Sequence, residues 1–137
     1  MNVETLIASA KEAMEKAYAP YSGYKVGAAL LCKDGTVYQG CNIENASYGG
    51  TNCAERTAFF KAVYDGHREF SAIAICGGKD GEITGLFPPC GICRQVMAEF
   101  CDKDFCILMI GAGDTYEVKT LEDLLPFSFE AKEHMQE

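Results

Sequence analysis

Positive charge is in short supply in this chain. Twelve lysines and arginines stand against twenty aspartates and glutamates, for a net charge of −8 and a pI of about 4.7. A nucleic-acid polymer is repelled by that balance, because phosphate binding needs a basic footprint. A small neutral or weakly polar substrate is compatible with it. Long apolar runs are also missing, and none approaches the roughly 20 residues that a membrane-spanning helix needs. Met1-Asn2-Val3-Glu4 has no basic stretch leading into an apolar one, so a secretory leader is not expected. Histidine is scarce: His67 and His134 lie in polar contexts far from the motifs below, and neither is given a ligand role. No internal repeat, linker or low-complexity segment interrupts the chain.

What is present is an ordinary globular composition. At 137 residues, 48% hydrophobic and 23% charged, the chain suits a single domain over 1–137 with a real core. Eight cysteines without a leader argue against a disulfide framework. Cytoplasmic thiols and a metal site fit them better.

Periodicity predicts an amphipathic helix over 3–17, with Asn2 as its cap and Pro20 barring continuation. Tyr18 to Tyr24 is a tyrosine-rich loop whose rings pack under it, the commoner case, or line a pocket. Strands are expected over 25–32 and 36–43, joined at Lys33-Asp34-Gly35. A second helix runs over 53–64 and ends at Asp65-Gly66. A short buried strand over 72–76, a glycine-rich loop over 77–85 and a third helix from Gly91 to about Phe100 follow. Strands over 105–110 and 116–119 and a short capped helix ending at Pro126 complete the order, with a charged tail from Glu130. A hairpin followed by alternating helices and strands predicts an α/β fold. Its form is three-layer α/β/α, with a mixed five-stranded sheet and both cysteine-bearing helix starts at the sheet's carboxyl edge.

The chemistry concentrates in two stretches, Asn52-Cys53-Ala54-Glu55-Arg56 and Pro88-Pro89-Cys90-Gly91-Ile92-Cys93. Together they read Cys-x-Glu followed by Pro-Cys-x-x-Cys. Zinc prefers tetrahedral sulfur and nitrogen ligands, and three protein ligands leave a position for water. Cys90 and Cys93 make a clamp on one helix end, and Cys53 is the third ligand. Helix N-termini favour thiolates. Three thiolates over-charge the ion and weaken it as a Lewis acid. Arg56, a hydrogen-bond donor to those sulfurs, and the two helix ends offset that charge. Glu55, one helical step past the ligand, is within reach of an activated water without binding the metal, and is placed to take its proton and return it to a substrate.

Each feature also has a plainer meaning. A lone Cys-x-x-Cys is at least as often a redox pair or half of a structural zinc site. Glu55 alone is better read as the third member of a capping box begun by Asn52. Arg56 alone is an ordinary surface residue. The conjunction favours catalysis, since a structural site has no use for the whole set. Cys32, Cys41, Cys76, Cys101 and Cys106 are read as core or near-core thiols. Cys41 as a fourth ligand would close the site to water.

Further stretches carry a resemblance: Tyr18-Ala19-Pro20-Tyr21-Ser22, Val26-Gly27-Ala28-Ala29-Leu30, Gly40-Cys41-Asn42-Ile43-Glu44-Asn45-Ala46-Ser47-Tyr48, Pro89-Cys90-Gly91-Ile92-Cys93-Arg94-Gln95, and Leu124-Leu125-Pro126 with Phe129. With Cys53-Ala54-Glu55-Arg56 they resemble the small homotetrameric zinc-dependent cytidine deaminases over nearly the whole chain. The resemblance implies a cytidine deaminase-like fold and one Zn2+ per subunit. It implies hydrolysis of cytidine and 2′-deoxycytidine to the uridine products with release of ammonia, the work of pyrimidine salvage. It implies that Asn42 and Glu44 hold the ribose 3′-hydroxyl, and that the Ala54 backbone and Glu55 read the pyrimidine edge. By the same resemblance Ala46 and Tyr48 of a neighbouring subunit border the 5′-hydroxyl side, and a neighbour's Phe129 stacks on the base. At position 24 the family commonly has Phe and this chain has Tyr24, which keeps the aromatic face but adds a hydroxyl that needs a partner. Competing expectations are a blasticidin-type nucleoside antibiotic deaminase, a non-enzymatic structural zinc protein and a nucleic-acid editing enzyme. The segment from Asn42 to Tyr48 favours the ordinary nucleoside, and the acidic charge disfavours the polymer.

Overall fold

Asn2 opens the first element as its position predicts. Its side chain accepts a hydrogen bond from the Thr5 backbone N–H at 3.0 Å and caps helix α1 (Val3–Met14). The computed structural model describes residues 1–131. The sequence-based expectation for His134 lies outside them. Helix α1 stops three residues short of the expected 17, because Lys16 and Ala17 turn back on the carbonyls of Ala13 and Met14.

Five strands form one sheet in the order β2-β1-β3-β4-β5. They are β1 (Tyr24–Cys32), β2 (Val37–Cys41), β3 (Phe70–Lys79), β4 (Cys106–Ile110) and β5 (Tyr116–Thr120). Only the β3–β4 pair is parallel, with helix α3 (Gly91–Phe100) as its crossover. The mixed five-stranded sheet is as expected, but β3 is twice as long as the 72–76 read from the sequence. It pairs with β1 from Cys32↔Phe70 to Tyr24↔Lys79, so Gly77, Gly78 and Lys79 belong to the strand and not to the loop after it. Their glycines mask the pattern, since they add no side chain to an alternation. Strand β2 ends at Cys41, two residues before the expected Ile43. Ile43 makes isolated bridges to Tyr18 and Asn52 instead.

Alternation along the central strands separates two cores. Ala28, Leu30, Ile73, Ile75, Ile107 and Met109 face helix α2 (Ala54–Tyr64) and Met97 of α3. Ala29, Ala72, Ala74, Cys76, Leu108 and Ile110 face Leu6, Ala10 and Met14 of α1. The result is the three-layer arrangement. A capping box between Thr120 and Asp123 starts the short helix α4 (Leu121–Leu124). No helix among the described residues is long and apolar enough to cross a membrane.

Two glycines let the helices approach this sheet. A β-carbon on Gly27 would lie 2.1 Å from the Ala10 carbonyl oxygen of α1, and one on Gly40 would lie 2.3 Å from the Ala54 carbonyl oxygen of α2. The second contact matters most, because it presses the first turn of α2 against the end of β2.

Candidate active site

Cys53 is the N-cap of α2 and Cys90 the N-cap of α3, and neither side chain makes a capping hydrogen bond. Both sulfurs are therefore free to face something else. Cys93, one turn into α3, is fully buried. The Sγ atoms of Cys53, Cys90 and Cys93 all lie within 4.8 Å of one another, with Cys53 and Cys90 at 3.7 Å. Tetrahedral zinc with Zn–S bonds of roughly 2.3 Å requires sulfurs about 3.8 Å apart. The donor set and its spacing therefore fit zinc. Cys41 does not approach the group; its thiol donates to the Lys16 carbonyl at 3.4 Å, and the water position stays open.

Arg56 donates from Nη2 to the Cys53 sulfur at 3.2 Å, as its position three residues on requires. Its Nε is buried without a hydrogen-bond partner, so the guanidinium is committed to this pocket. The thiols polarise one another. A hydrogen bond from Cys93, helped by Arg56 and Cys90, drives the Cys53 pKa down to about 5 against the cost of burial. The same bond and burial drive Cys93 upward. Burial disfavours the Arg56 charge, but its bonds to Cys53 and Cys93 and the charge on those sulfurs together outweigh that and raise its pKa.

Glu55 is 3% exposed and lies within hydrogen-bonding reach of Cys93. Burial, opposed by its own backbone N–H and reinforced by the Cys53 charge, raises its pKa to about 7. The capping-box reading of Glu55 does not hold. The cap is Cys53, one residue later than that reading requires, and the Asn52 side chain donates to Thr57 Oγ1 at 3.0 Å. A buried carboxyl with no capping duty is costly to keep unless it is used.

Upstream, Glu44 grips the tyrosine loop. Its Oε1 accepts from the Tyr21 and Ser22 backbone N–H groups at 2.9 and 3.0 Å, and its Oε2 accepts from the Ser22 hydroxyl. These bonds lower its pKa. Asn42 is buried, with Oδ1 accepting from Val26 N at 2.9 Å and Nδ2 donating to Tyr24 O at 2.8 Å. The loop tyrosines do not pack beneath the loop. Tyr18, Tyr21 and Tyr24 are all about half exposed, and the Tyr24 ring lies under Lys79 Nζ at 5.4 Å. Ala46 and Tyr48 are exposed, Tyr48 edge-on to Tyr21. A cavity of about 170 Å³ is lined by Tyr21, Ser22, Glu44, Tyr48 and Thr51. Phe129 is half exposed and tethered through its carbonyl to Gln95 Nε2 at 2.7 Å.

The structure thus brings Cys53, Cys90, Cys93, Glu55 and Arg56 into one cluster. It places Asn42 and Glu44 in the segment after β2 and Tyr24 at the start of β1, and leaves Ala46, Tyr48 and Phe129 on the surface. Ser22, Arg94 and Gln95 were not singled out from the sequence. Arg94 binds the Pro89 carbonyl at 2.8 Å and the Leu124 carbonyl at 2.7 Å, tying the Cys90 loop to the C-terminal segment. Their one sequence signal was their place inside the resembling stretches.

Three converging thiols at two helix starts, beside a buried acid, define an α/β protein with a candidate zinc site. Residues 1–109 match the family model described as the cytidine and deoxycytidylate deaminase zinc-binding region. The chain belongs to the cytidine deaminase family. A cytidine deaminase from Sporosarcina psychrophila is 53% identical over 129 residues, 94% of this chain and 92% of its own. One from Halalkalibacterium halodurans is 51% identical over 134 residues, 97% of this chain and 98% of its own. The crystal structure of cytidine deaminase from Burkholderia pseudomallei superposes with a TM-score of 0.87 at 50% identity, covering 94% of this chain and all of that one.

Proposed function

We propose that this protein, as one catalytic domain over 1–137, hydrolyses cytidine and 2′-deoxycytidine to uridine and 2′-deoxyuridine with release of ammonia. The observation that carries the reading is Glu55, buried among three thiols whose spacing suits zinc. Cys53, Cys90 and Cys93 would hold one Zn2+ per subunit. Bound there, zinc supplies Lewis acidity that makes a water nucleophilic near neutral pH.

The chain's own residues do the rest. Glu55 takes the two protons of the attacking water in turn, delivering one to the ring nitrogen N3 and the other to the exocyclic N4. The water oxygen joins C4, the C4–N4 bond breaks and ammonia leaves. Arg56 and the two helix ends spread the thiolate charge. The Ala54 backbone and Glu55 orient the pyrimidine edge, and Tyr24 offers an aromatic face to the base. Asn42 retains one N–H and one lone pair beyond its backbone bonds, and Glu44 is held as an anion, a donor–acceptor pair suited to the ribose 3′-hydroxyl.

The assembly is a homotetramer whose sites are shared, with Ala46, Tyr48 and Phe129 serving a neighbour's pocket. Support comes from the aromatic surface that Tyr48 and Phe129 leave exposed on a single chain. The eight unpaired cysteines support a cytoplasmic setting. Glu55→Gln tests the reading: it keeps zinc and assembly and lowers turnover of cytidine by about 100- to 10,000-fold. Turnover retained in that variant sinks the mechanism.

A further inference from the structure

A second cluster of metal-ligating side chains lies at the far end of the sheet. Strand β1 begins beside the active site at Tyr24 and ends at Cys32, a span of roughly 25 Å at about 3.3 Å per residue. There the Cys32 sulfur, an Asp34 carboxylate oxygen and a His67 ring nitrogen all lie within 4.8 Å of one another. We propose that these three residues bind a second divalent cation of borderline-soft character, such as Zn2+, independently of the catalytic thiols.

The three ligands are delivered by stiff backbone. The turn from β1 to β2 is closed by Gly35 N–H to Cys32 O at 3.0 Å and Cys32 N–H to Thr36 O at 2.8 Å. Asp34 is held in that turn by Thr36 N–H on its Oδ1 at 3.0 Å, which leaves Oδ2 toward His67. His67 comes from the end of α2. Gly66, at φ +100°, donates to Val63 O, and His67 N–H donates to Ala62 O, both at 3.0 Å. That is a Schellman termination, and it fixes where the histidine side chain departs. The Tyr38 ring stands edge-on to the imidazole at 5.3 Å, and its hydroxyl donates to Asp65 at 2.7 Å, walling one side.

The chemistry of the donors suits the ion. His67 Nδ1 and Asp34 Oδ2 are 3.7 Å apart, beyond a hydrogen bond, whereas ligands on a tetrahedral zinc stand roughly 3.3–3.8 Å from one another. One thiolate, one carboxylate and one neutral imidazole balance a divalent charge. Lys33, the adjacent cation, turns away to Asp102 at 3.8 Å. Cys32 is buried while the Asp34 side chain is 59% exposed, so the ion enters from the carboxylate side and a water completes the coordination. The bound ion would clip the β1–β2 turn to the end of α2.

Metal content settles the matter. The whole protein is titrated with Zn2+, and separately with Co2+ after one equivalent of Zn2+. Two equivalents bind the wild type, and the second Co2+ shows thiolate charge-transfer absorption. His67→Gln and Asp34→Asn, which retains the turn acceptor, each lose the second equivalent. Both keep the first and full turnover, which also certifies their fold. Cys53→Ala shows the converse, losing the first equivalent and keeping the second, so failure of the catalytic-zinc reading is distinguishable from failure of this one. A single equivalent in the wild type at saturating Zn2+, or a second that survives both His67→Gln and Asp34→Asn, overturns the proposal.

Discussion

The two halves of the candidate active site are built differently. Around the thiols everything comes from two helix starts of one chain, with Glu55 3% exposed and Cys93 fully buried. Around the proposed nucleoside pocket, Tyr24 is 47%, Phe129 56% and Tyr48 74% exposed. The metal half buries its acid and one thiol within its own chain and leaves Cys90 exposed. The nucleoside half offers aromatic surface that one chain leaves to water, although its framework of Asn42, Glu44 and Ser22 is tightly bonded. The difference teaches that burial in the free chain marks where charge must be controlled, and exposed aromatic surface marks where a ligand or second subunit is met.

Substitutions can break that contrast or sharpen it. The largest effect is expected from Cys53→Ala, which removes a thiol that both Cys90 and Arg56 address; turnover falls to background and the catalytic zinc is lost, as zinc analysis against a cytidine assay would record. Gly40→Val comes next. Its β-carbon would meet the Ala54 carbonyl oxygen at 2.3 Å and the Ala58 nitrogen at 2.6 Å. Displacing α2 should cost about 1–3 kcal/mol in denaturant unfolding and weaken zinc binding in step. If zinc binding survives unchanged, the metal half does not depend on that close approach.

On the nucleoside half, Glu44→Gln should raise KM by about 10- to 100-fold, the worth of a charge-assisted hydrogen bond, with zinc content unchanged. Ser22→Ala separates its two tasks, since it loosens the loop without removing the carboxylate. A KM effect as large in Ser22→Ala as in Glu44→Gln would make Glu44 a loop clamp and not a sugar ligand. The smallest effect is expected from Phe129→Ala. Losing one aromatic contact of about 0.5–1.5 kcal/mol should raise KM by about 2- to 10-fold. Sedimentation of the same variant would report any change in assembly.

Much of this was legible beforehand because it is local. Asn2 as a cap and the short capped helix before Pro126 depend on spacings of one or two turns. Strand β3 was read too short because Gly77 and Gly78 carry no side chains, and only pairing with β1 from Tyr24 to Val26 reveals them as strand. Glu55 was ambiguous for a related reason. Whether Asn52 or Cys53 caps the helix moves its role by one position, and backbone geometry alone settles that.

The three candidate thiols, the acid beside them and the arginine one step on were all determined by the amino-acid sequence, because they lie within two short segments whose helical starts impose their own geometry. Tertiary structure decided what those segments meet. It brought Cys53 within 3.7 Å of Cys90, excluded Cys41, and set Cys32 beside Asp34 and His67. Those outcomes follow from strand register and from how closely α2 can settle on Gly40, and contacts between residues distant in the chain leave no period in the sequence to be read.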